Sequence, residues 1–329
     1  MQLLKSRELV LALIILGLVI VIGIRAPVFV TPESLLNIIT DTSFLFMLAL
    51  AQMIVILTRG IDLSVAANLA MAGMLTALAS RAMPEMPIVL IILLSTFCGL
   101  VLGVVNGAVI AGLGIPPIVV TLGTLAVYRG LIFVVAGGQW LTSDDMTPQF
   151  LAFPKATLFG ISSLVWIAAV VIAGFWFFLS QTRTGRALYA VGGNPVAARY
   201  CGIDLAPQQL LVYSIAGAVS GLCGYLWVSR YGIAYVDIAQ GYELTIIAAC
   251  VIGGVSIAGG VGTVSGTLLG ALFLGIVVNA LPVINVSPFW QMAISGAIIL
   301  AAVIVNARAE RRTGKIILPE ARLLAGTAK

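Results

Sequence analysis

The chain has 329 residues, of which 61% are hydrophobic and 9% charged. A soluble globular domain carries about 25% charged residues, so a fully water-facing surface is excluded. The net charge is +5, histidine is absent, and the four cysteines form no CxxC pair, which argues against a zinc or redox centre. Lipid must solvate most of such a chain, and helices satisfy every backbone polar group there. The expected fold is therefore an all-α polytopic membrane bundle. The positive balance fits membrane orientation and not a nucleic-acid partner.

Spanning a bilayer takes about 20 mostly apolar residues. About ten runs qualify: 9–24, 42–58, 64–80, 87–112, 117–136, 161–180, 206–228, 242–258, 262–282 and 287–306. The first follows Lys5 and Arg7 but no small-residue cleavage site comes after it, so it reads as an uncleaved span. With both termini cytoplasmic, twelve Lys and Arg residues fall on inside segments and four, Arg25, Arg81, Lys155 and Arg230, on outside ones. That asymmetry fixes the orientation. The reading is one membrane domain over 1–306 and a short basic cytoplasmic tail over 307–329.

Two hydrophilic stretches interrupt the spans. Residues 137–160 would face outside and 181–205 the cytoplasm. In the second, Asn194 suits an N-cap, Pro195 the first helical position and Gly202 a left-handed C-terminal stop. A short, stiff, capped helix on the inner face is the expected docking element for a partner. Small-residue ridges recur at Gly99, Gly103 and Gly107, at Gly217 and Gly221, and at Gly262, Gly266 and Gly270. They let helices approach closely. Packing within the chain is the first expectation for them, and contacts between copies the second.

Charges inside the spans are few. Asp62, between the second and third spans, is expected to cap the third helix, with a gating role as the alternative. Arg129 in the fifth span needs a carboxylate or backbone carbonyls. Glu243 opens the eighth span, where a helix N-terminus favours a negative charge. Uncharged polar candidates for a solute path are Gln52, Asn68, Asn106, Thr121, Tyr128, Asn279 and Gln291; hydrogen bonding between helices is their simpler role. The Gly253–Gly262 stretch has no βαβ context, so it is a tight turn and not a dinucleotide site.

A series of motifs carries a resemblance: Leu57-Thr-Arg-Gly-Ile-Asp-Leu-Ser64, Asn106-Gly107, Ile115-Pro-Pro-Ile-Val-Val-Thr-Leu-Gly-Thr124, Gly185-Arg186, Gly192-Gly-Asn194, Ala197-Ala198, Gly202-Ile203, Glu243, Ile252-Gly-Gly254 and Gly259-Gly-Val-Gly262. In this order, over about residues 9–306, they resemble the permease subunits of bacterial monosaccharide ABC importers of the ribose, xylose, rhamnose and autoinducer-2 type. The resemblance implies a multi-pass subunit of the bacterial inner membrane that is not itself an enzyme. It implies an ABC ATPase partner that uses ATP and Mg, a periplasmic sugar-binding protein, and a second permease copy, identical or similar. It also implies that Arg186, Asn194, Ala197, Ala198 and Gly202 belong to the loop that meets the ATPase. No GxxxxGK[ST] phosphate loop is present, so hydrolysis falls to another chain and this one binds no cofactor. The runs Leu122 to Gly130, Gly137 to Trp140 and Met146 to Pro148 look most like rhamnose-type members. The alternative is an ion-gradient-driven secondary sugar transporter, which would place ionisable groups at mid-membrane.

Overall fold

The computed structural model describes residues 7–283 and, beyond them, 286, 287, 290, 293, 296, 297 and 300. The expected tenth span is thus met only at isolated positions. Gln291, Lys5 and the tail 307–329 lie outside the described residues.

Among the described residues, eight helices are long and apolar enough to cross a membrane: α1 (Arg7–Arg25), α2 (Pro32–Leu57), α3 (Val65–Ala82), α4 (Ile88–Leu113), α5 (Pro117–Ala136), α7 (Ser163–Gln181), α10 (Leu205–Tyr231) and α12 (Val264–Val283). Four shorter helices lie between them: α6 (Pro148–Ala152), α8 (Arg183–Gly193), α9 (Pro195–Tyr200) and α11 (Tyr242–Ile252). The fold is the expected all-α polytopic bundle. Proline at the first turn starts α2 and α5, and left-handed Gly114 and Gly232 end α4 and α10.

Every residue in 47–57 of α2 is fully buried. A helix that is apolar on all sides belongs at the centre, and α3 and α10 complete that centre. Helix α4 instead exposes Val89, Leu93, Phe97, Val101 and Val104, a lipid-facing stripe at helical spacing.

The opposite face of α4 meets α10 with backbone close against backbone. A Cβ on Gly99 would collide with the Gly217 carbonyl and the Gly221 Cα; one on Gly221 would collide with the Ser95 carbonyl. Ser95 Oγ donates to the Gly221 carbonyl at 2.6 Å and accepts from the Tyr225 amide at 3.2 Å. Gly73 of α3 and Gly224 of α10 form a second such crossing, and Gly266 and Gly270 of α12 press on residues 249 and 253 around the end of α11. The small-residue ridges are therefore used within the chain.

One crossing differs from the sequence expectation. The eighth run was expected as a continuous span over 242–258, but α11 has only 11 residues, about 16 Å of helix. Gly253 and Gly254 end it, the latter at φ 88°. Upstream, β4 (Ile233–Ala234) pairs antiparallel with β1 (Leu141–Thr142), at the end of the bundle where Ser80 meets Thr147. Downstream, the Gly260 amide donates to the Leu57 carbonyl at 3.0 Å, at the opposite end. The chain thus passes from one end to the other as turns, a half-length helix, and turns again. Irregular backbone at membrane depth is tolerated where protein buries it or where it lines a cavity.

The hydrophilic stretch 137–160 folds as a cap over the outer end. Phe150 is fully buried beneath it, and its carbonyl accepts from the Tyr225 and Ser229 hydroxyls. A second hairpin, β2 (Thr157–Leu158) with β3 (Ile161–Ser162), leads into α7.

Candidate coupling surface and solute path

The cytoplasmic stretch holds two helices where one was expected. Helix α8 contains Gly185, Gly192 and Gly193, poor helix formers. Tertiary contacts hold it. Gly185 lies against the Phe178 carbonyl and Leu179, and a Cβ on Gly192 would overlap the Leu57 carbonyl and the Gly260 amide. Arg59, at φ 63°, donates from Nε to the Gly192 carbonyl at 2.7 Å and from a terminal nitrogen to the Gly193 carbonyl at 2.9 Å. A cation on those carbonyls also complements the negative end of the α8 dipole. Tyr189 donates to the Gly262 carbonyl at 3.0 Å. The last turn of α8 is therefore joined directly to the α2–α3 turn and the α11–α12 turn.

Helix α9 is capped at both ends. Asn194 Oδ1 accepts from the Val196 and Ala197 amides, each at 3.1 Å, and Gly202 is left-handed at φ 78°. Ala198 is buried against the protomer, whereas Val196 is 66% and Tyr200 90% exposed. Ala197, Arg199 and Gly202 are exposed, and so is Arg186 on α8. Two outward apolar residues, Val196 and Tyr200, were missed from the sequence because alternation over six residues does not say which side packs. Their exposure on a polar surface is the signal.

The uncharged polar candidates mostly converge on the α2–α3 turn. Asp62 Oδ1 accepts from the Ser64 amide at 2.8 Å and from Ser64 Oγ at 2.7 Å. Ser64 Oγ accepts from Asn106 at 2.8 Å. Thr121 donates to the Ile61 carbonyl at 3.0 Å, and Tyr128 to the Leu102 carbonyl at 2.8 Å. The Gln52 amide, oriented as its surroundings require, accepts from the Asp62 amide at 3.0 Å and donates to the Asp62 carbonyl at 3.3 Å. Gln52, Asp62, Asn106, Thr121 and Tyr128 are all buried. Asn68 is separate, donating to the Gly99 carbonyl at 3.1 Å, and half-buried Asn279 turns back on the Gly275 carbonyl at 2.9 Å.

Burial pushes the Asp62 carboxyl above the usual carboxylate range, and its bonds to Ser64 pull the other way. A raised folded value means that the native state binds the proton more tightly than the unfolded chain. Stability is then lost as pH rises through the window above the ordinary value of 3.8. Asp62→Asn keeps an acceptor for Ser64 and removes the buried charge. It is expected to melt no lower than the parent at pH 7.5, with its advantage shrinking at pH 5. Asp62→Ala strands the Ser64 donors and is expected to lose about 1–3 kcal/mol. Thermal unfolding of the detergent-purified protein at the two pH values reads both.

Arg129 finds backbone carbonyls. One terminal nitrogen donates to the Val236 and Ile238 carbonyls, in the irregular part of the broken crossing. Glu243 stands in the first turn of α11, and its buried Oε2 has no hydrogen-bond partner among the described residues. Arg129→Met is expected to leave both carbonyls unpaired and to cost about 2 kcal/mol. Protease added from the outer side should then cleave within 235–241, which the parent resists.

A family model described as "Branched-chain amino acid transport system / permease component" matches residues 34–303. The chain belongs to this permease family. It is 34% identical over 306 residues to the ribose import permease protein RbsC of Haemophilus influenzae, covering 92% of this chain and 93% of that one. It is 34% identical over 308 residues to the galactose/methyl galactoside import permease protein MglC of Escherichia coli, covering 89% and 92%. It is 32% identical over 304 residues to the autoinducer 2 import system permease protein LsrC of Shigella flexneri, covering 92% and 88%. No solved structure matches. This permease is a multi-pass protein of the bacterial inner membrane, and it resembles permeases named for sugar import although its family is described by amino-acid transport.

Proposed function

We propose that this permease is the membrane subunit of an ATP-binding-cassette importer that carries a monosaccharide inward. The carrying observation is the junction on the inner face: the last turn of α8, the α2–α3 turn and the α11–α12 turn meet backbone to backbone at Gly192, Leu57 and Gly260. An ATPase that moves α9 would act on two membrane turns at once, one of which ends the broken crossing. Its docking surface is Val196, Ala197 and Tyr200, with Arg186 and Gly202 beside it and Asn194 stiffening the helix. Ala198 supports that surface from beneath. ATP and Mg are used by the ATPase subunit; this chain supplies the path, with a second permease copy opposite and a periplasmic binding protein delivering the sugar.

The cargo reading starts from the permeases named for ribose, galactose and autoinducer 2. The run Leu122 to Gly130 adds a rhamnose-like sugar as the first to test. Proteoliposomes holding permease, ATPase and binding protein should take up labelled monosaccharide only with internal ATP. Uptake driven by a proton gradient without the ATPase would overturn the reading. Cys201 is the exposed cysteine of the four. A membrane-impermeant maleimide should label it in inverted vesicles and not in intact cells.

A further inference from the structure

Among the described residues three ion pairs occur: Arg81–Asp145, Arg199–Asp204 and Arg230–Asp41. The first two engage loop carboxylates. The third joins two spanning helices. Asp41 lies nine residues into α2, about 13 Å from its outer start, and Arg230 stands one residue before the outer end of α10. The pair closes at 3.2 Å, yet its side chains are 33% and 26% exposed. Ionisable residues on spanning helices mostly pair with one another and face a bundle interior or a water-filled cavity, and the pair is read so here.

An aromatic cluster lies on the same two helices, with Phe44 on α2 and Trp227 and Tyr231 on α10. Trp227 packs on Tyr231 at 5.1 Å between centroids and on Tyr242 at 5.3 Å, over fully buried Phe44 at 5.0 Å. Tyr231 is 47% exposed. Tyr242 opens α11, directly after the irregular part of the crossing. The ensemble offers flat apolar rings beside one planar acceptor and one planar donor, with no net charge. An ion gains little from it. A neutral polyol ring gains on both counts: its C–H face lies on the aromatic rings, and adjacent hydroxyls bond the carboxylate and the guanidinium.

We infer that Asp41, Arg230, Trp227, Tyr231 and Tyr242 form a contact site for a neutral monosaccharide in the outer half of the path, one wall of a passage that the second copy closes. This rests on the importer reading above and adds to it a place where the sugar touches the permease.

The test uses the assembled complex of permease, ATPase and binding protein. With Cys201→Ser as background, Tyr231→Cys should react from outside with a membrane-impermeant maleimide. Reaction with a lipid-soluble maleimide alone, or with neither reagent, places the residue against lipid or protein and overturns the site. Next, Trp227→Leu and Asp41→Asn are compared for uptake of radiolabelled ribose, galactose and rhamnose and for ATP hydrolysis stimulated by the binding protein. Uptake should fall on the order of tenfold while hydrolysis stays within about twofold. Parallel loss of both, or full rescue of uptake by the exchanged pair Asp41→Arg with Arg230→Asp, assigns these residues to structure and overturns the proposal. If the parent complex takes up none of the three sugars with ATP present, the importer reading fails instead, whatever the labelling shows.

Discussion

Gly221→Leu is expected to leave no stably folded permease in the membrane. At Gly221 the α4 backbone lies where a side chain would begin, since even a methyl would collide with the Ser95 carbonyl and with Gly99. The two helices would have to separate by several ångströms. Separation also breaks the Ser95 bonds to the Gly221 carbonyl and the Tyr225 amide and reaches Asn68, whose amide donates to the Gly99 carbonyl. Overpacking alone costs about 1–3 kcal/mol where neighbours can shift. Here the neighbours are backbone on both sides, and three residues on, α10 is held against α3 by the Gly73–Gly224 crossing. Several kcal/mol is most of a domain's net stability. Size-exclusion profiles and the amount of protein surviving detergent extraction read this result. A monodisperse Gly221→Leu protein with parental melting temperature would show that the seam tolerates separation.

Val196→Asp with Tyr200→Asp should abolish ATP-driven uptake while the permease stays folded. Both residues project from α9 into solvent, so the substitutions remove no packing within the chain. An apolar anchor at the centre of an interface is worth about 2 kcal/mol or more, and a desolvated, unpaired carboxylate adds a further penalty. Two such changes should weaken docking by more than a hundredfold. Co-purification with the ATPase measures docking, and the melting temperature of the free permease reports folding. Ala198→Glu is the instructive control. It places a charge in the contact between α9 and the protomer, so it should lower that melting temperature as well. Normal co-purification of the double variant would remove α9 from the interface.

Much of the scaffold was legible because a bilayer asks for apolar length and little else. Seven of the long helices begin and end close to the runs read from the sequence; α2 begins about ten residues earlier than expected, since Thr31 and Pro32 cap and start a helix whose first turns are polar. The eighth crossing misled for a physical reason. Apolar density reports burial, and a buried segment is apolar whether or not its hydrogen bonds continue, so the run past Gly253 looked like helix. Helix α8 escaped notice because its glycines speak against a helix locally, while Gly192 and Gly193 are used in contacts with Leu57 and Arg59, more than a hundred residues away. Asn194 and Pro195 were readable because a cap is local chemistry. Among the polar candidates, the meeting was not foreseeable: nothing in the chain order says that Gln52, Asn106, Thr121 and Tyr128 gather around Asp62. Arg129 offered two kinds of partner from sequence, and only the broken crossing, absent from that reading, supplies the carbonyls.

On the proposed coupling through α9, the junction at Leu57, Gly192 and Gly260 bears on how a stroke would be delivered. A side chain placed between moving parts acts as a spring, since its rotamers yield before the part behind it shifts. Main chain against main chain has no such compliance. A push on α9 of an ångström or two should thus arrive nearly undiminished at both turns, and even alanine at position 192 should blunt it, turning each ATP spent into a shorter throw.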